Sequence, residues 1–245
     1  MPRFYVDLPL SSGLECALPA GAARHVQVLR LQPGEGLVLF DGQGWDWDCE
    51  LLSIGRSEVR VRVGEARRVE RELPIAVTLA VGMPANERMD WLVEKATELG
   101  VASLQPLVCE RSILRLHGER ADKRRLHWQG IAAAAAEQCG RACVPHIAPV
   151  ASLANWLAAL PVGVAQTGFV LSLRAPSEPL AQALVVALSS SASVLFLSGP
   201  EGGLSDAEDE SARRAGLRAL TLGPRVLRAD TAPLLALAAL TALFA

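Results

Sequence analysis

Lysine is almost missing from this chain. Of its 24 basic residues, only Lys95 and Lys123 are lysine, so its positive charge is nearly all arginine. Guanidinium forks suit phosphate bidentately, although an arginine-rich genome would give the same bias. A net charge of −2 argues against a generic nucleic-acid coat. Cysteine is sparse too: five residues (16, 49, 109, 139 and 143) scattered too widely for a disulfide framework. Cys139 and Cys143 are spaced to share a helix face, but none of the four histidines stands at zinc-finger spacing from them. Both are read as small buried or half-buried residues, and no metal is expected. The N-terminus has no charged-then-apolar leader pattern. The longest apolar stretch, Ala232 to Ala245, falls short of the ~20 residues a membrane-spanning helix needs. A soluble, cytoplasmic protein is the expectation. Two phosphate-binding signatures are absent: no G-x-G-x-x-G follows the first strand, and there is no G-x-x-x-x-G-K. That weighs against an ordinary doubly wound nucleotide-binding enzyme.

What is present is a substantial core and two regions of different pattern. Hydrophobic residues make up 51% of the 245 and charged residues 20%, enough for one large or two modest domains. Residues 1–70 read as short strands and turns. Leu37–Phe40 leads into Asp41-Gly42-Gln43-Gly44, and Trp45–Leu51 and Val59–Val63 alternate at period two. Several such strands suggest a small barrel. Gly64–Glu72 reads as a charged linker. From Leu73 strands alternate with helices: strands at 75–81, 104–108, 164–171, 194–197 and 217–222, and helices at 87–99, 123–138, 152–160, 179–188, 205–215 and 231–244. Ser189–Ser191 reads as a loop. The alternation implies an α/β domain over 73–245 with a mostly parallel sheet covered on both faces.

Two glycine-bearing turns stand out in this second region. Ser198-Gly199-Pro200-Glu201-Gly202-Gly203 follows the apolar run Val194–Leu197 and precedes Ser205-Asp206-Ala207-Glu208, a capping box that opens a helix. Leu222-Gly223-Pro224-Arg225-Val226-Leu227-Arg228-Ala229-Asp230-Thr231-Ala232 likewise joins a strand to a helix. Ligands of open α/β sheets sit at the carboxyl ends of strands, so both turns are expected to line one pocket. With Arg3–Val6, Arg24–Arg30, Glu94–Val101 and Glu137–Arg141, in this order, the two turns resemble the RsmE family of SPOUT-class RNA methyltransferases. One departure is visible. The family usually carries Leu-Arg-Ala-Glu-Thr-Ala where this chain has Asp230, which keeps the acid but shortens its reach.

The resemblance implies a PUA-like, RNA-binding β-barrel over 1–70 and a trefoil-knotted methyltransferase domain over 73–245. It implies methylation of N3 of a uridine in 16S ribosomal RNA, with S-adenosyl-L-methionine as methyl donor. The partners implied are small-subunit ribosomal RNA or the assembled 30S subunit, and a second copy of the chain through the knot domain. Expected cofactor contacts are Leu171, Gly199, Pro200, Glu201, Gly202, Leu222, Gly223 and Leu227. The competing function is a non-catalytic RNA-binding assembly factor, which would have no need of intact glycines in both turns.

Individual residues carry paired readings. Arg228 either stabilises negative charge on the uracil ring or a phosphate, or pairs structurally with Asp230. Glu201 either orients the cofactor, acts as a base, or is an acid favoured by a helix N-terminus. Asp230 reads as an N-cap. His25 and Arg30 either touch RNA or are structural. Arg111, Arg115, Arg124 and Arg125 belong to a basic segment that is either a phosphate-binding patch or a solvated helix face. Glu94, Lys95 and Glu98 read as an ion-pair group. The apolar last helix is expected in the core and partly in a dimer interface.

Overall fold

A computed structural model describes residues 1–56, 58–85, 87–160, 166–190 and 193–244. The chain forms two compact units, Met1–Glu72 with Ala133–Val144, and Leu73–Ala132 with Pro145–Ala245.

The first unit contains β1 (Arg3–Tyr5), β2 (Glu15–Ala17), α1 (Ala20–Val28), β3 (Gly36–Phe40), β4 (Trp45–Ile54) and β5 (Val59–Arg68). They make a five-stranded sheet in the order β1-β3-β4-β5-β2. The β1–β3 pair is parallel and the others antiparallel. Alternation in β5 sends Val59, Val61 and Val63 into the core and Arg60 and Arg62 to solvent. Leu37, Leu39 and Leu51 complete that core with Ala22, Ala23 and Val26 of α1.

Two sequence expectations change here. The segment 20–28 is a helix within a region read as strands. Its alanines and Val26 follow helical spacing, and Pro19 sits at the N-cap, where a missing N–H does no harm. The supposed linker from Gly64 is still strand as far as Arg68, because Ala66 pairs with Trp47 and Arg67 with Asp46.

Residues 133–139, the end of a long helix, close this unit. Arg3 donates from Nε and Nη2 to Asp46 Oδ1 at 3.0 and 2.9 Å, and to the carbonyls of Ala136 and Arg141 at 3.2 and 2.8 Å. Its guanidinium also lies 3.6 Å from the Phe40 ring centroid. Cys139 ends the helix and Cys143 lies beyond it, so the two share no helix face. All five cysteines are free thiols.

The second unit adds β6 (Ala76–Gly82), α2 (Glu87–Glu98), β7 (Ser103–Val108), α3 (Gly118–Cys139), β8 (His146–Ile147), β9 (Ala151–Ser152), α4 (Leu153–Ala158) and β10 (Gln166–Leu171). Then come β11 (Glu178–Pro179), α5 (Leu180–Ser190), β12 (Ser193–Ser198), α6 (Asp206–Arg214), β13 (Arg218–Thr221) and α7 (Thr231–Thr241). Its sheet runs β11-β13-β10-β12-β6-β7-β8, with β9 also on β7, and every pairing is parallel. Helices α4 and α6 pack over a core holding Val170, Leu195, Leu197 and Ala212. Helix α7 packs on α2, β6 and β12, burying Leu234, Ala236, Leu237 and Leu240.

The helix expected at 123–138 begins earlier, at Gly118. Ser189 and Ser190, read as loop, extend α5, while Ser191 lies outside the described residues, as do positions 164 and 165 of the expected fourth strand. In α2, Lys95 Nζ stands 2.7 Å from both Glu94 Oε1 and Glu98 Oε1, the expected ion-pair group. No helix among the described residues is long and apolar enough to cross a membrane, and no metal-holding cluster occurs among them.

Candidate active site

Three parallel strands, β10, β12 and β13, end side by side, and the segments leaving their carboxyl ends enclose a cavity of about 540 Å³. Such crevices are the usual ligand position in open α/β sheets. The walls come from Leu171–Arg174 after β10, from Ser198–Leu204 after β12, and from Leu222–Ala232 after β13. Leu171 and, from the two turns, Gly199, Pro200, Glu201, Gly202, Leu222, Gly223, Leu227 and Arg228 are among them, and Asp230 is not.

The β12 turn is held by close backbone approaches. A β-carbon on Gly82, the last residue of β6, would lie 2.5 Å from Pro200 N, so the turn backs directly onto that strand end. A β-carbon on Gly202 would come within 2.9 Å of Arg111 Cβ. Arg111 Nη1 donates to the carbonyls of Gly202 and Leu204 at 3.2 and 3.3 Å. Ser205 then caps α6 in the expected box with Glu208, and Glu208 Oε1 also accepts from Glu110 N at 2.7 Å. Glu201 ties the turn from the other side: Oε1 accepts from Ala85 N at 2.7 Å. Its second oxygen, Oε2, is buried and without a hydrogen-bond partner. A buried acceptor left bare is costly unless a ligand or water supplies a donor.

The β10 segment is fixed by a buried network. Asp209 of α6 accepts from Ser172 Oγ and from Arg213 Nε, both at 2.6 Å. Arg213 also donates to the carbonyls of Pro176 at 2.7 Å and Arg174 at 3.1 Å. Arg174 in turn donates to the Asp206 carbonyl at 3.1 Å. One carboxylate thus holds the strand end, the following loop and the helix together. These residues escaped the sequence reading because Ser172 and Asp209 are distant in the chain. The available signals were the Asp209–Arg213 spacing of four on a helix and the rule that residues just past a strand end face the ligand.

The β13 segment is the most exposed wall. The backbone carbonyl of Arg228 accepts from Thr231 N and Ala232 N, both at 3.0 Å, and opens α7. Its side chain is exposed and makes no ion pair with Asp230. Asp230 stands at the N-cap but in helical conformation and with no side-chain capping bond, and its Oδ1 is buried and unpartnered. Neither the capping reading of Asp230 nor its pairing with Arg228 is realised.

The remaining expected residues are dispersed. Of the basic segment only Arg111 reaches the cavity. Arg111 and Arg115 precede α3 and bind backbone: Arg115 donates to the Glu110 carbonyl at 2.6 Å. Arg124 and Arg125 lie half-buried in α3, and Arg125 Nε is buried without a partner. In the first unit, His25 has Nδ1 3.4 Å from Glu137 Oε1 and sets its ring edge-on to Phe4. Arg30 has a φ of 56°, the one positive value at a non-glycine among the described residues, and lies just past the C-cap of α1.

Comparison with known proteins agrees with this architecture. Residues 71–241 match the RNA methyltransferase domain family, and residues 18–64 match the RNA methyltransferase PUA domain family. The chain is 35% identical to the ribosomal RNA small subunit methyltransferase E of Bacillus subtilis, over 98% of this chain and 96% of that one. It is 32% identical to the protein of the same name from Mycobacterium bovis, over 96% and 89%. A crystal structure of the Neisseria gonorrhoeae ribosomal RNA small subunit methyltransferase E bound to S-adenosyl methionine superposes with a TM-score of 0.89. Identity there is 35%, over 99% of this chain and 98% of that chain. An α/β methyltransferase fold with an N-terminal PUA domain, matched along nearly its whole length, assigns this chain to the ribosomal RNA small subunit methyltransferase E family.

Proposed function

We propose that this protein transfers a methyl group from S-adenosyl-L-methionine to small-subunit ribosomal RNA, and that the acceptor is N3 of a uridine. One observation carries the reading. The segments after β10, β12 and β13 converge on one cavity in a chain whose relatives are named ribosomal RNA small subunit methyltransferases. The cavity volume, about 540 Å³, falls in the range of small-molecule sites.

The lining suits this cofactor. Leu171, Leu222 and Leu227 offer apolar surface to an adenine ring, and the backbone of both turns offers donors and acceptors to its edge. The bare Oε2 of Glu201 is an acceptor for a donor on the bound molecules, and the cofactor's ammonium is one. When bound, the cofactor supplies a methyl group on a sulfonium sulfur, already electrophilic.

The chain's own task is to position the base and steady its charge. N3 lies on the pairing edge, so the uridine must be unpaired or turned out of its stack. Loss of the N3 proton to solvent leaves negative charge spread over O2 and O4. Arg228, exposed at the cavity wall with its donors unengaged, is the group assigned to that charge. Glu201 is assigned to orientation, since one of its oxygens already anchors the turn.

The PUA domain, with His25 and Arg30, is assigned to RNA, and the site of action to the cytoplasm. The trefoil knot of the class belongs to the same reading, as does a homodimer. Leu235 of α7 is 41% exposed, and Leu243 and Phe244 just beyond are exposed as well, an apolar edge that a second copy would cover. Light scattering that gives a monomer at micromolar concentration counts against the dimer. The function itself is tested by calorimetry with S-adenosylmethionine, followed by transfer of labelled methyl to small-subunit RNA. Absence of cofactor binding, or binding without transfer to either free RNA or assembled subunits, ends the reading.

A further inference from the structure

Five arginines line the cavity, and they fall into two groups. Arg111 and Arg174 are engaged: Arg111 with the carbonyls of Gly202 and Leu204, Arg174 with Asp206 through its carbonyl and its Oδ1. Arg88, at the start of α2, and Arg225 and Arg228, after β13, are exposed, and their guanidiniums have no hydrogen-bond or ion-pair partner among the described residues. The acids of the cavity do not balance them. Asp209 is committed to Ser172 and Arg213, Asp206 faces Arg174 at 3.4 Å, and Glu201 is half-buried with one oxygen on Ala85 N. The cavity therefore presents three unpartnered, always-charged forks from two separate segments.

We propose that Arg88 and Arg225, which flank the base-facing Arg228, form a phosphate cradle that grips the RNA backbone on either side of the nucleotide entering the cavity. The inference rests on the methyltransferase reading and deepens it by naming substrate-holding residues. A single carboxylate, such as the cofactor carries, takes one fork; with Arg228 given to the base, two further forks match the phosphates of a polyanion. Arginine rather than lysine suits this position, because a planar fork takes two oxygens of one phosphate. The cradle also moves the basic contact away from the segment 111–125, where the structure commits Arg111 and Arg115 to backbone carbonyls. A nucleotide pulled from its stack leaves its flanking phosphates as the fixed handles.

The test uses Arg88→Gln and Arg225→Gln in the full-length protein, leaving Arg228 untouched. Binding to small-subunit ribosomal RNA is measured as a function of salt, and S-adenosylmethionine affinity is measured on the same samples. Each variant is expected to weaken RNA binding and to flatten the log-affinity against log-salt slope by about 0.7–0.9, the value for one lost phosphate contact. Cofactor affinity stays within twofold of wild type. An unchanged salt slope in both variants overturns the cradle. So does a loss of cofactor affinity, which would make these arginines carboxylate ligands of the small molecule. Wild-type protein that binds neither S-adenosylmethionine nor RNA refutes the methyltransferase reading instead, so the two failures are distinguishable.

Discussion

Gly202 and Arg111 are in such close contact that a β-carbon on the glycine would fall 2.9 Å from the arginine's own, while Arg111 Nη1 donates to the Gly202 carbonyl at 3.2 Å. The arginine straps the β12 turn across a glycine that leaves it room. Gly202→Val cannot keep both the strap and the turn. It is expected to abolish S-adenosylmethionine binding by calorimetry while far-UV circular dichroism stays native. Wild-type affinity in that variant would show that the turn's shape does not set the cofactor site.

Asp209 is the hub that joins Ser172, Arg213 and the loop between them, and it is 4% exposed. Removing one partner of a buried charged network leaves the others poorly matched. Asp209→Ala is expected to cost about 3 kcal/mol, a fall of roughly 6–12 °C in Tm for a protein of this size. Thermal unfolding with and without cofactor checks it. A Tm within 2 °C of wild type on either measurement, roughly the smallest shift of interest here, would mean that the network adds no stability.

Cys109 sits in the core between β7 and α6. Burial first, and the nearby Glu208 second, push its thiol up to about 12 from an ordinary 9.0. The folded-state value lies above the unfolded one, so the neutral thiol's contribution is fully present below about pH 9 and is lost as pH rises toward 12. Cys109→Ala is expected to lose less stability than wild type between pH 9 and pH 11 in denaturant titrations. In the native protein at neutral pH Cys109 is expected to resist maleimide until denaturant is added. Rapid native labelling would contradict both its burial and its raised value.

Arg228→Ala tests the charge assignment. Loss of one donor aimed at developing negative charge is worth about 10²-fold or more in turnover. The expected outcome is that loss in single-turnover rate, with cofactor affinity and Tm near wild type, because the side chain is exposed and unpaired. Arg228→Lys is expected to recover little if a planar fork is required. Unchanged turnover with lowered Tm would make the residue structural.

Most elements and the two turns that wall the cavity were legible in the sequence for a physical reason. Strand-turn-helix junctions concentrate glycine, proline and capping residues, and ligands gather at those junctions. The two glycine-bearing turns were found that way, whereas Leu171, Leu222 and Leu227 came from the family resemblance. The Asp209–Ser172–Arg213 network was not, because its members meet only when β10 and α6 pack. The helix at 20–28 is hidden in a stretch whose flanking strands suggest a barrel, and it forms against the sheet core. In the segment 111–125 composition reports charge but not which arginines are engaged. Arg111 and Arg115 turned out to face carbonyls, while Arg88 and Arg225, isolated in sequence, stand without partners.

The most direct measurement is mass spectrometry of nucleosides from small-subunit ribosomal RNA, comparing a strain lacking this protein, the same strain complemented, and one complemented with Gly202→Val. The account predicts that 3-methyluridine disappears without the protein, returns with the wild-type chain and does not return with the variant. Undiminished 3-methyluridine in the deletion strain would contradict it.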